Sequence, residues 1–446
     1  MSKEMIDEAL KHATDTKACV IGDGVLDQTA PLFAQWFPGK TRAAIIADPR
    51  TWSAAGEAVA GMLKGRGIEV VSYILEPDGR TFHADYHYAA EVREFLKAEI
   101  AKGGALVPVA VGSGVVNDLT KLASGEIGIP YMVCATAASV DGYSSFGAAI
   151  RSPEGAKKTY ACPAPRVIVA DLNVMRTAPK WMAASGFADL LAKVPAGADW
   201  ILAYELGACE WHDRAWHTVQ DGLPEALSNP EGVAAMETEP LTKFVEGLML
   251  GGFAMQDMQS SRPASGAEHL FSHLLEMRDH VFRGDIVPHG IQVGVFTRFM
   301  CRVYELILAE DYSRLDVAKC LASWRPLDEQ ERIGAAVFAG TRFPDLGVRS
   351  VRAKFADRAT TERRLRDFAA RWPEIRARLA AQLLPGDEIA RRLRVVGAPV
   401  SPEEIGSTVA ASLADAQKTI YMRDRFMALD FLALTGQLDA FARASF

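Results

Sequence analysis

Short apolar segments alternate with longer stretches of helical spacing through the first third of the chain. Each segment is a nearly continuous run of β-branched and small apolar residues, which is typical of a strand covered on both faces of a sheet. These predicted strands are Lys17–Ile21, Ala43–Ala47, Val70–Leu75, Leu106–Val111, Tyr131–Ala135 and Val167–Ala170. Strands that alternate with helices in this way predict a parallel sheet with crossover helices.

The strand pattern stops after about residue 175, and helical spacing dominates the rest of the chain. The longest such stretches are Glu239–Asp257, Ile291–Leu308, Glu362–Leu384 and Pro402–Leu413. A chain of 446 residues also exceeds what one hydrophobic core usually serves. We therefore predict an α/β domain with a Rossmann-like parallel sheet over residues 1–175, followed by an all-α domain over residues 176–446.

Composition and charge argue against several classes of protein. No apolar run approaches the roughly 18 residues that a membrane helix needs, and the segment Met1–Leu10 is too charged for a signal peptide. The formal net charge of −7 argues against a nucleic-acid surface. The six cysteines stand singly without a CxxC pair, as reduced thiols do. We expect a cytoplasmic protein that binds neither nucleic acid nor membrane.

A glycine-containing turn follows the fourth predicted strand. The turn Gly112-Ser113-Gly114 leads into a helix that carries Asp118 in its first turns. Such glycines let backbone N–H groups approach a pyrophosphate, and the helix N-terminus adds partial positive charge. Thr136 and Ser139 follow the next strand, and the carboxyl ends of parallel strands meet at one edge of a sheet. These residues predict a dinucleotide site; a tight turn without a ligand is the alternative reading of Gly-x-Gly alone.

Asp48 stands at the end of the second predicted strand. A carboxylate at that place can accept hydrogen bonds from the ribose of NAD and repels the 2′-phosphate of NADP. The sequence Asp48-Pro49 equally fits a residue that only initiates a turn. On the first reading the site favours NAD(H), with NADP(H) possible.

Three histidines and one acid indicate a catalytic metal site. His269 and His273 are four residues apart and share one face of a helix. His289 follows in a Pro-His-Gly turn, where proline fixes φ and glycine gives freedom to aim the imidazole. Asp189 is an acid inside a small and apolar stretch, where a solvated carboxylate is not expected. One carboxylate and two neutral imidazoles suit a catalytic Zn²⁺ with an open position; the alternative is a pair of hydrogen-bonded core histidines and a turn residue.

Six segments that contain these residues stand in a characteristic order: Gly112–Asp118, Ala135–Ser145, Ala184–Lys193, Ser261–His273, His289–Gly294 and Gly397–Gly406. Together they resemble the bacterial sn-glycerol-1-phosphate dehydrogenases, within the superfamily of iron-containing alcohol dehydrogenases and dehydroquinate synthases. The resemblance implies a dehydroquinate synthase-like fold, with an N-terminal NAD(P)-binding domain and a helical domain that binds metal and substrate.

The resemblance also implies roles for particular residues. The metal ligands would be Asp189, His269 and His289, usually holding Zn²⁺, with Ni²⁺ or Fe²⁺ in relatives. The nicotinamide nucleotide would lie along Gly112, Ser113, Gly114, Thr136 and Ser139, with Asp141 near the nicotinamide and the substrate. His273 would lie beside the substrate.

The function implied by the resemblance is the interconversion of dihydroxyacetone phosphate and sn-glycerol 1-phosphate, a step of phospholipid metabolism. The metal would polarise the carbonyl or alkoxide oxygen during hydride transfer. We predict that His273 supplies the proton, because imidazole titrates near neutral pH; a packing role is the alternative. Arg262 and Lys193 are the predicted partners of the substrate phosphate, and Lys193 and Asp141 complete the predicted catalytic set.

Two other functions stay open from the sequence. One is a dehydroquinate synthase-like cyclase that uses NAD transiently, and the other is a dehydrogenase of unphosphorylated glycerol or another alcohol. The cyclases usually carry Glu at the position of Asp189, which favours the dehydrogenase. A homo-oligomer, dimeric or larger, is expected because relatives form such assemblies.

Overall fold

Six parallel strands form the main sheet of the structure, a computed structural model that describes residues 3–77, 82–155 and 157–446. The strands of these described residues are β1 (Ala18–Gly22), β2 (Arg42–Ala47), β3 (Glu69–Ile74), β4 (Leu106–Gly112), β5 (Met132–Ala135), β6 (Ala148–Arg151), β7 (Lys157–Tyr160), β8 (Val167–Asp171), β9 (Val281–Phe282) and β10 (Asp285–Ile286). The main sheet has the order β1-β8-β5-β4-β2-β3, and its neighbouring strands are all parallel. The six predicted strands are thereby confirmed.

Two antiparallel hairpins, β6 with β7 and β9 with β10, were not predicted as strands. Their strands are only two to four residues long, which is too short to display a hydrophobic period.

The burial of the central strands explains why the main sheet could be predicted from the sequence. Every residue of β2, β4, β5 and β8 is buried, whereas β1 and β3 at the edges are partly exposed. Alternate residues of the central strands join one hydrophobic cluster with Phe33 and Leu63, which come from the helices on that face. A strand covered on both faces must be apolar throughout, and this produces the continuous runs seen in the sequence.

The chain divides into two compact units. The first comprises Met1–Leu190, Arg214–Ser261 and Val395–Ala398, and the second comprises Leu191–Asp213, Arg262–Arg394 and Pro399–Phe446. The main sheet belongs to the first unit. The predicted domain boundary after residue 175 stays a prediction.

The helices that begin in the first unit come both from the segment that forms the main sheet and from the segment after residue 213. Their bounds are Lys3–His12, Thr29–Trp36, Pro49–Thr51, Glu57–Lys64, Tyr86–Ala101, Gly114–Glu126, Leu172–Met175, Lys180–Leu191, Leu223–Ala226, Pro230–Ala234 and Thr238–Met258, with a π-helical turn at Trp52–Gly56. The helix Asp213–Gln220 begins at the last residue of the second unit's first segment.

The second unit is almost entirely helical. Its helices are Lys193–Glu205, Ala267–Met277, His289–Ala309, Val317–Ala322, Leu327–Phe338, Leu346–Lys354, Arg358–Ala370, Trp372–Gln382, Gly386–Val395, Val409–Thr419, Ala428–Thr435 and Leu438–Ser445. The predicted order of an α/β part followed by helices is therefore confirmed. Among the described residues no helix combines the length and the apolarity that crossing a bilayer requires.

Two of the four longest predicted helical stretches are interrupted. Glu362–Leu384 contains a break at Arg371, between the helices Arg358–Ala370 and Trp372–Gln382. Pro373 lies in the first turn of the second helix, and proline cannot continue a helix because it lacks an N–H donor and restricts the residue before it. The break was therefore readable from the sequence.

The stretch Pro402–Leu413 is a 3₁₀ turn followed by a separate helix. The 3₁₀ turn Pro402–Ile405 ends at Gly406, whose φ is 75°. The helix Val409–Thr419 then begins after Thr408, whose hydroxyl accepts the Ala411 N–H. Glycine adopts this left-handed conformation without steric cost and so ends the first turn.

Candidate metal and coenzyme sites

The predicted dinucleotide turn lies where β4 ends and the helix Gly114–Glu126 begins. A Cβ at Gly112 would lie 2.6 Å from Val116 Cγ2, and one at Gly114 would lie 2.7 Å from Val140 Cγ1. Glycine is therefore required here by close packing. The Thr136 N–H donates to the carbonyl of Gly112 at 3.1 Å, so the turns after β4 and β5 are joined. The structure thus brings the predicted residues of both turns to one edge of the sheet.

Asp118 and Lys121 hold the loop that follows β5. The Asp118 carboxylate accepts the Ala149 N–H at 3.1 Å and lies 3.6 Å from Lys121 Nζ. The fully buried Lys121 ammonium donates to the carbonyls of Gly142, Ser145 and Gly147 at 2.8 to 3.0 Å. Lys121 is thus an anchor of the loop that contains Asp141, and its signal in the sequence was a lysine one helical turn after Asp118.

The same loop is held from the other side by the helix Thr238–Met258. Ser144 Oγ donates to the Met249 carbonyl at 2.7 Å, and Gln256 Nε2 donates to the carbonyl of Ser144. The Asp141 N–H donates to the Asp189 carboxylate at 3.2 Å. Two residues that the sequence predicts in the active site are therefore in direct contact.

Asp48 caps a helix in the structure. Its carboxylate accepts the N–H groups of Arg50 and Thr51 at 2.8 and 3.0 Å, and its own N–H donates to Thr51 Oγ1. This capping box satisfies N–H groups that a helix start leaves without intrahelical partners. The turn-initiating reading of Asp48 is thus what the structure displays, and its contact with a coenzyme stays a prediction.

Asp189, His269 and His289 form a group that suits a metal ion. Their potential ligand atoms all lie within 4.8 Å of one another. Asp189 lies near the end of the helix Lys180–Leu191, whose last residue belongs to the second unit, and its side chain is buried. Two imidazoles and one carboxylate are the donor set of many catalytic Zn²⁺ sites. The residues present therefore fit a divalent metal.

His269 is oriented by an acid that precedes it in the chain. The His269 Nδ1–H donates to Glu268 Oε1 at 2.7 Å, and the same oxygen accepts the Gly266 N–H. Asp199 accepts the Ala267 N–H at 2.7 Å, and burial together with the charge of Glu268 raises the pKa of Asp199 to about 7. These two buried acids fix the first turn of the helix that carries His269.

His289 is oriented in the same manner from the other side. Its Nδ1 lies 3.0 Å from Glu276 Oε1 and 2.9 Å from Ser272 Oγ, and Ser272 in turn donates to Gln292 at 3.0 Å. A carboxylate only accepts, so the proton of the ring lies on Nδ1. A carboxylate that accepts from one ring nitrogen orients the other toward a metal and raises its basicity. Glu268 and Glu276 were not predicted from the sequence, although Glu276 lies three residues after His273 on one helix face.

His273 lies beside the group and is held at both ring nitrogens. Its Nδ1 is 3.0 Å from Glu276 Oε2, and its Nε2 is 2.8 Å from Arg423 Nη2. A guanidinium only donates, so Nε2 accepts and Nδ1 carries the proton. A second cluster of possible ligand atoms comprises His273, Glu276 and His289. Its atoms lie close together because the Glu276 carboxylate accepts hydrogen bonds from both rings.

The pKa of His273 lies well below the value expected from the sequence. Removal from water lowers its pKa to about 3, with the charge of Arg423 acting in the same direction and Glu276 opposing it. The ring is therefore neutral near neutral pH. The premise that this imidazole titrates near neutral pH was wrong, because sequence alone does not reveal burial. Its role in proton transfer stays a prediction.

The two predicted cationic partners of substrate lie in the second unit. Lys193 is the first residue of the helix Lys193–Glu205 and is fully buried. Arg262 lies in the turn before the helix Ala267–Met277, where its charge acts on Cys209 and Arg425. We did not predict that Arg423 and Arg425 belong to this part of the molecule, because they come about 160 residues after Arg262 in the chain.

Replacing Glu268 by glutamine should weaken metal binding about 10- to 100-fold, the usual effect of changing a partner of a metal-ligating histidine. The amide keeps the shape and still accepts from His269, but it removes the charge that raises ligand basicity. Competition with a chromophoric chelator measures the affinity. Glu362→Gln, at a half-buried residue that pairs with Arg366, is the matched control. Equal affinities for the two variants would contradict the orienting role of Glu268.

Comparisons with known proteins identify relatives of this chain. Residues 20–179 match the model of the iron-containing alcohol dehydrogenase family. The chain is 35% identical over 60% of its length to a glycerol-1-phosphate dehydrogenase [NAD(P)+] of Halalkalibacterium halodurans, 66% of whose length is covered. It is 30% identical over 88% of its length to the enzyme of that name from Geobacillus stearothermophilus, of which 86% is covered.

A solved structure shares the fold. The probable glycerol dehydrogenase of Sinorhizobium meliloti matches with a TM-score of 0.59 and 17% identity, covering 96% of this chain and 98% of that one. Fold and site thus define an iron-containing alcohol dehydrogenase-like protein. Within that class, the chain belongs to the family of the glycerol-1-phosphate dehydrogenases.

Proposed function

We propose that this protein is an NAD(P)-linked, metal-dependent oxidoreductase that interconverts dihydroxyacetone phosphate and sn-glycerol 1-phosphate. The observation that carries the proposal is the group Asp189, His269 and His289 in a chain whose relatives bear the name of this activity. The alternative of a cyclase is not favoured by these relatives.

The proposed coenzyme site comprises Gly112, Ser113, Gly114, Asp118, Thr136 and Ser139, with Asp48 at the adenosine end. The helix Gly114–Glu126 begins at this turn without a side-chain cap from Ser113, and N–H groups at a helix start favour an anion such as a pyrophosphate. We propose NAD(H) as the preferred coenzyme, because the Asp48 carboxylate would repel the extra phosphate of NADP(H).

The proposed metal ligands are Asp189 and the Nε2 atoms of His269 and His289, and Zn²⁺ is the proposed ion. When bound, the metal supplies positive charge that stabilises negative charge developing on the substrate oxygen. The protein residues hold the ligands in place. Glu268 and Glu276 orient the imidazole rings of His269 and His289, and the Asp141 N–H donates to the Asp189 carboxylate. Holding both reactants in one orientation lowers the entropic part of the barrier.

Asp141, Lys193 and His273 are the proposed catalytic residues, and Arg262 joins them in the proposed substrate site. We propose that His273 takes part in delivering a solvent proton to the substrate oxygen. Lys193 is buried and supplies positive charge beside the reacting oxygen. A cytoplasmic location, a role in phospholipid metabolism and a homo-oligomeric state stay predictions.

A substrate panel tests the proposed function. NADH and NADPH oxidation is measured spectrophotometrically with dihydroxyacetone phosphate, dihydroxyacetone, glycolaldehyde and a heptulosonate phosphate. We expect kcat/KM for dihydroxyacetone phosphate to exceed that for dihydroxyacetone by about 100-fold or more, because a charge-assisted phosphate contact is strong. NADH should be preferred, and the product should resist a dehydrogenase specific for sn-glycerol 3-phosphate. Equal rates with the two ketones, or turnover of the heptulosonate phosphate without net NADH loss, would refute the proposal.

A further inference from the structure

β3 (Glu69–Ile74) is the last strand on one side of the main sheet, and β2 is its neighbour. The backbone N–H groups of Glu69 and Leu75 donate to carbonyls on the β2 side, both at 2.8 Å. Successive residues of a strand direct their N–H and C=O groups to opposite sides, so every second residue from Glu69 faces β2. The backbone groups that point away from the sheet therefore belong to Val70, Ser72 and Ile74.

The outer edge of β3 lacks the features that prevent pairing with another strand. No residue that the structure describes forms a hydrogen bond with the outward backbone groups. β3 contains neither lysine nor proline, and its register with β2 runs without a bulge from Glu69 to Ile74. Its one charged residue, Glu69, pairs with Arg42 at 2.9 Å. A regular edge of this kind is a template for a further strand.

The exposed edge is complementary to a second copy of itself. Val70, Ser72 and Ile74 place an apolar side chain on each side of a central serine. In an antiparallel pair with a two-fold axis at Ser72, Val70 of one protomer lies opposite Ile74 of its partner, and the two Ser72 residues face each other. Each opposed pair of this kind exchanges two hydrogen bonds, so the three pairs make about six. The outward backbone groups of β3 are then all satisfied.

The remaining residues of the strand agree with this register. Val71 of one protomer lies opposite Tyr73 of its partner, a β-branched and aromatic pair that stabilises a sheet. Glu69 lies opposite Leu75, so the pairing brings no like charges together. A register shifted toward the N-terminus would need Ile68, whose N–H already donates to a carbonyl of its own chain at 3.1 Å. The available backbone groups therefore favour an axis at Ser72.

Apolar side chains flank the edge on both faces of the sheet. Val70 and Ile74 are partly buried residues that pack against the hydrophobic cluster of one face. On the other face the Tyr73 ring contacts Phe95, with 5.0 Å between the ring centres, and both side chains are half-buried. A second copy at the edge would remove more of this apolar surface from water, which adds hydrophobic stabilisation to the backbone hydrogen bonds.

We propose that this protein forms a symmetric dimer through β3, in which the main sheets of two copies join edge to edge into one continuous sheet. The partner is a second copy of this chain. The proposal goes beyond the proposed enzymatic function and does not depend on it, because it rests on the edge of the sheet alone.

Charge substitutions at the axis test the proposed dimer. Sedimentation velocity of the full chain should give a mass of two chains for wild type. Ser72→Asp and Ser72→Lys each place two like charges opposite each other, so the dissociation constant of the dimer should rise about tenfold or more. An equimolar mixture of the two variants should restore dimers that contain one of each. Ser53→Asp, at an exposed serine in the helical turn after β2, should sediment like wild type.

A disulfide cross-link tests the register directly. The two Ser72 Cα atoms would lie about 5.5 Å apart across the axis, which is within the range of a disulfide. Oxidised Ser72→Cys should therefore run as a covalent dimer on a non-reducing gel, whereas Ser53→Cys and wild type with its six native cysteines should not.

The outcomes separate this interface from any other. A wild type that sediments as one chain overturns the proposal, and so does a Ser72→Asp dimer as tight as that of wild type. If wild type forms an assembly larger than two chains, the charged variants should halve its mass, and an unchanged mass refutes the interface. Far-UV circular dichroism verifies folding; if the charged variants are unfolded, the cross-link of Ser72→Cys decides, and its absence overturns the proposal.

Discussion

His269→Ala is expected to abolish metal retention and to lower turnover about a thousandfold or more, while the main sheet stays folded. Metal ions contribute several kcal/mol of charge stabilisation to such reactions, and about 1.4 kcal/mol corresponds to a tenfold change in rate. The variant removes one of three proposed ligands and leaves Glu268 without the N–H of its imidazole partner. Metal content after dialysis, measured by mass spectrometry, and NADH oxidation provide the two readouts.

His217→Ala is the matched control for this variant. His217 is exposed and pairs with Asp221 four residues away, so its removal should change neither metal content nor turnover. Near-normal activity of His269→Ala in chelator-treated buffer would show that the metal assignment is wrong.

Gly186→Ala is expected to destabilise the protein by ~1 to 3 kcal/mol or more, the usual cost of overpacking. A Cβ at this helical position would clash with the carbonyl oxygen of Ala138 and lie 3.1 Å from the Ser139 carbonyl carbon. Backbone atoms cannot rotate away, so the helix must shift. Because Asp189 lies one turn further along that helix, metal affinity should fall as well. Urea unfolding and chelator competition measure the two effects.

Gly61→Ala provides a control of opposite sign. Gly61 also lies within a helix, but a Cβ there would have no heavy atom within 4 Å apart from the backbone of its own helix and its chain neighbours. Alanine should therefore raise the free energy of unfolding by ~0.5 to 1 kcal/mol, through helix propensity alone. If both alanine variants changed stability equally and in the same direction, close approach would not be the reason for Gly186.

Several residues of the site could be predicted from local patterns in the sequence. Glycines at 112 and 114 after a strand indicated a tight turn, and the structure shows them forced by Val116 and Val140. Asp189 stood out as an acid in an apolar stretch, and it is buried beside Asp141. Each of these signals is local, because a few adjacent residues record what a buried backbone or side chain requires.

Contacts between residues far apart in the chain could not be predicted in this way. The pKa of His273 depends on how far its ring is removed from water and on Arg423, which lies 150 residues away. Likewise, nothing near Ser265 in the sequence announces that Arg425 will reach its carbonyl. Such long-range pairs leave no periodicity in a single sequence.

The sequence by itself therefore determined the parallel sheet, the helical second half and the candidate ligands Asp189, His269 and His289, because burial and local geometry constrain residue type along the chain. Only the tertiary structure decided which ring nitrogens carry protons, which acids orient them and which arginines gather near the histidines. Those properties arise from charges and hydrogen bonds between segments far apart in sequence, and the folded chain alone brings them within reach.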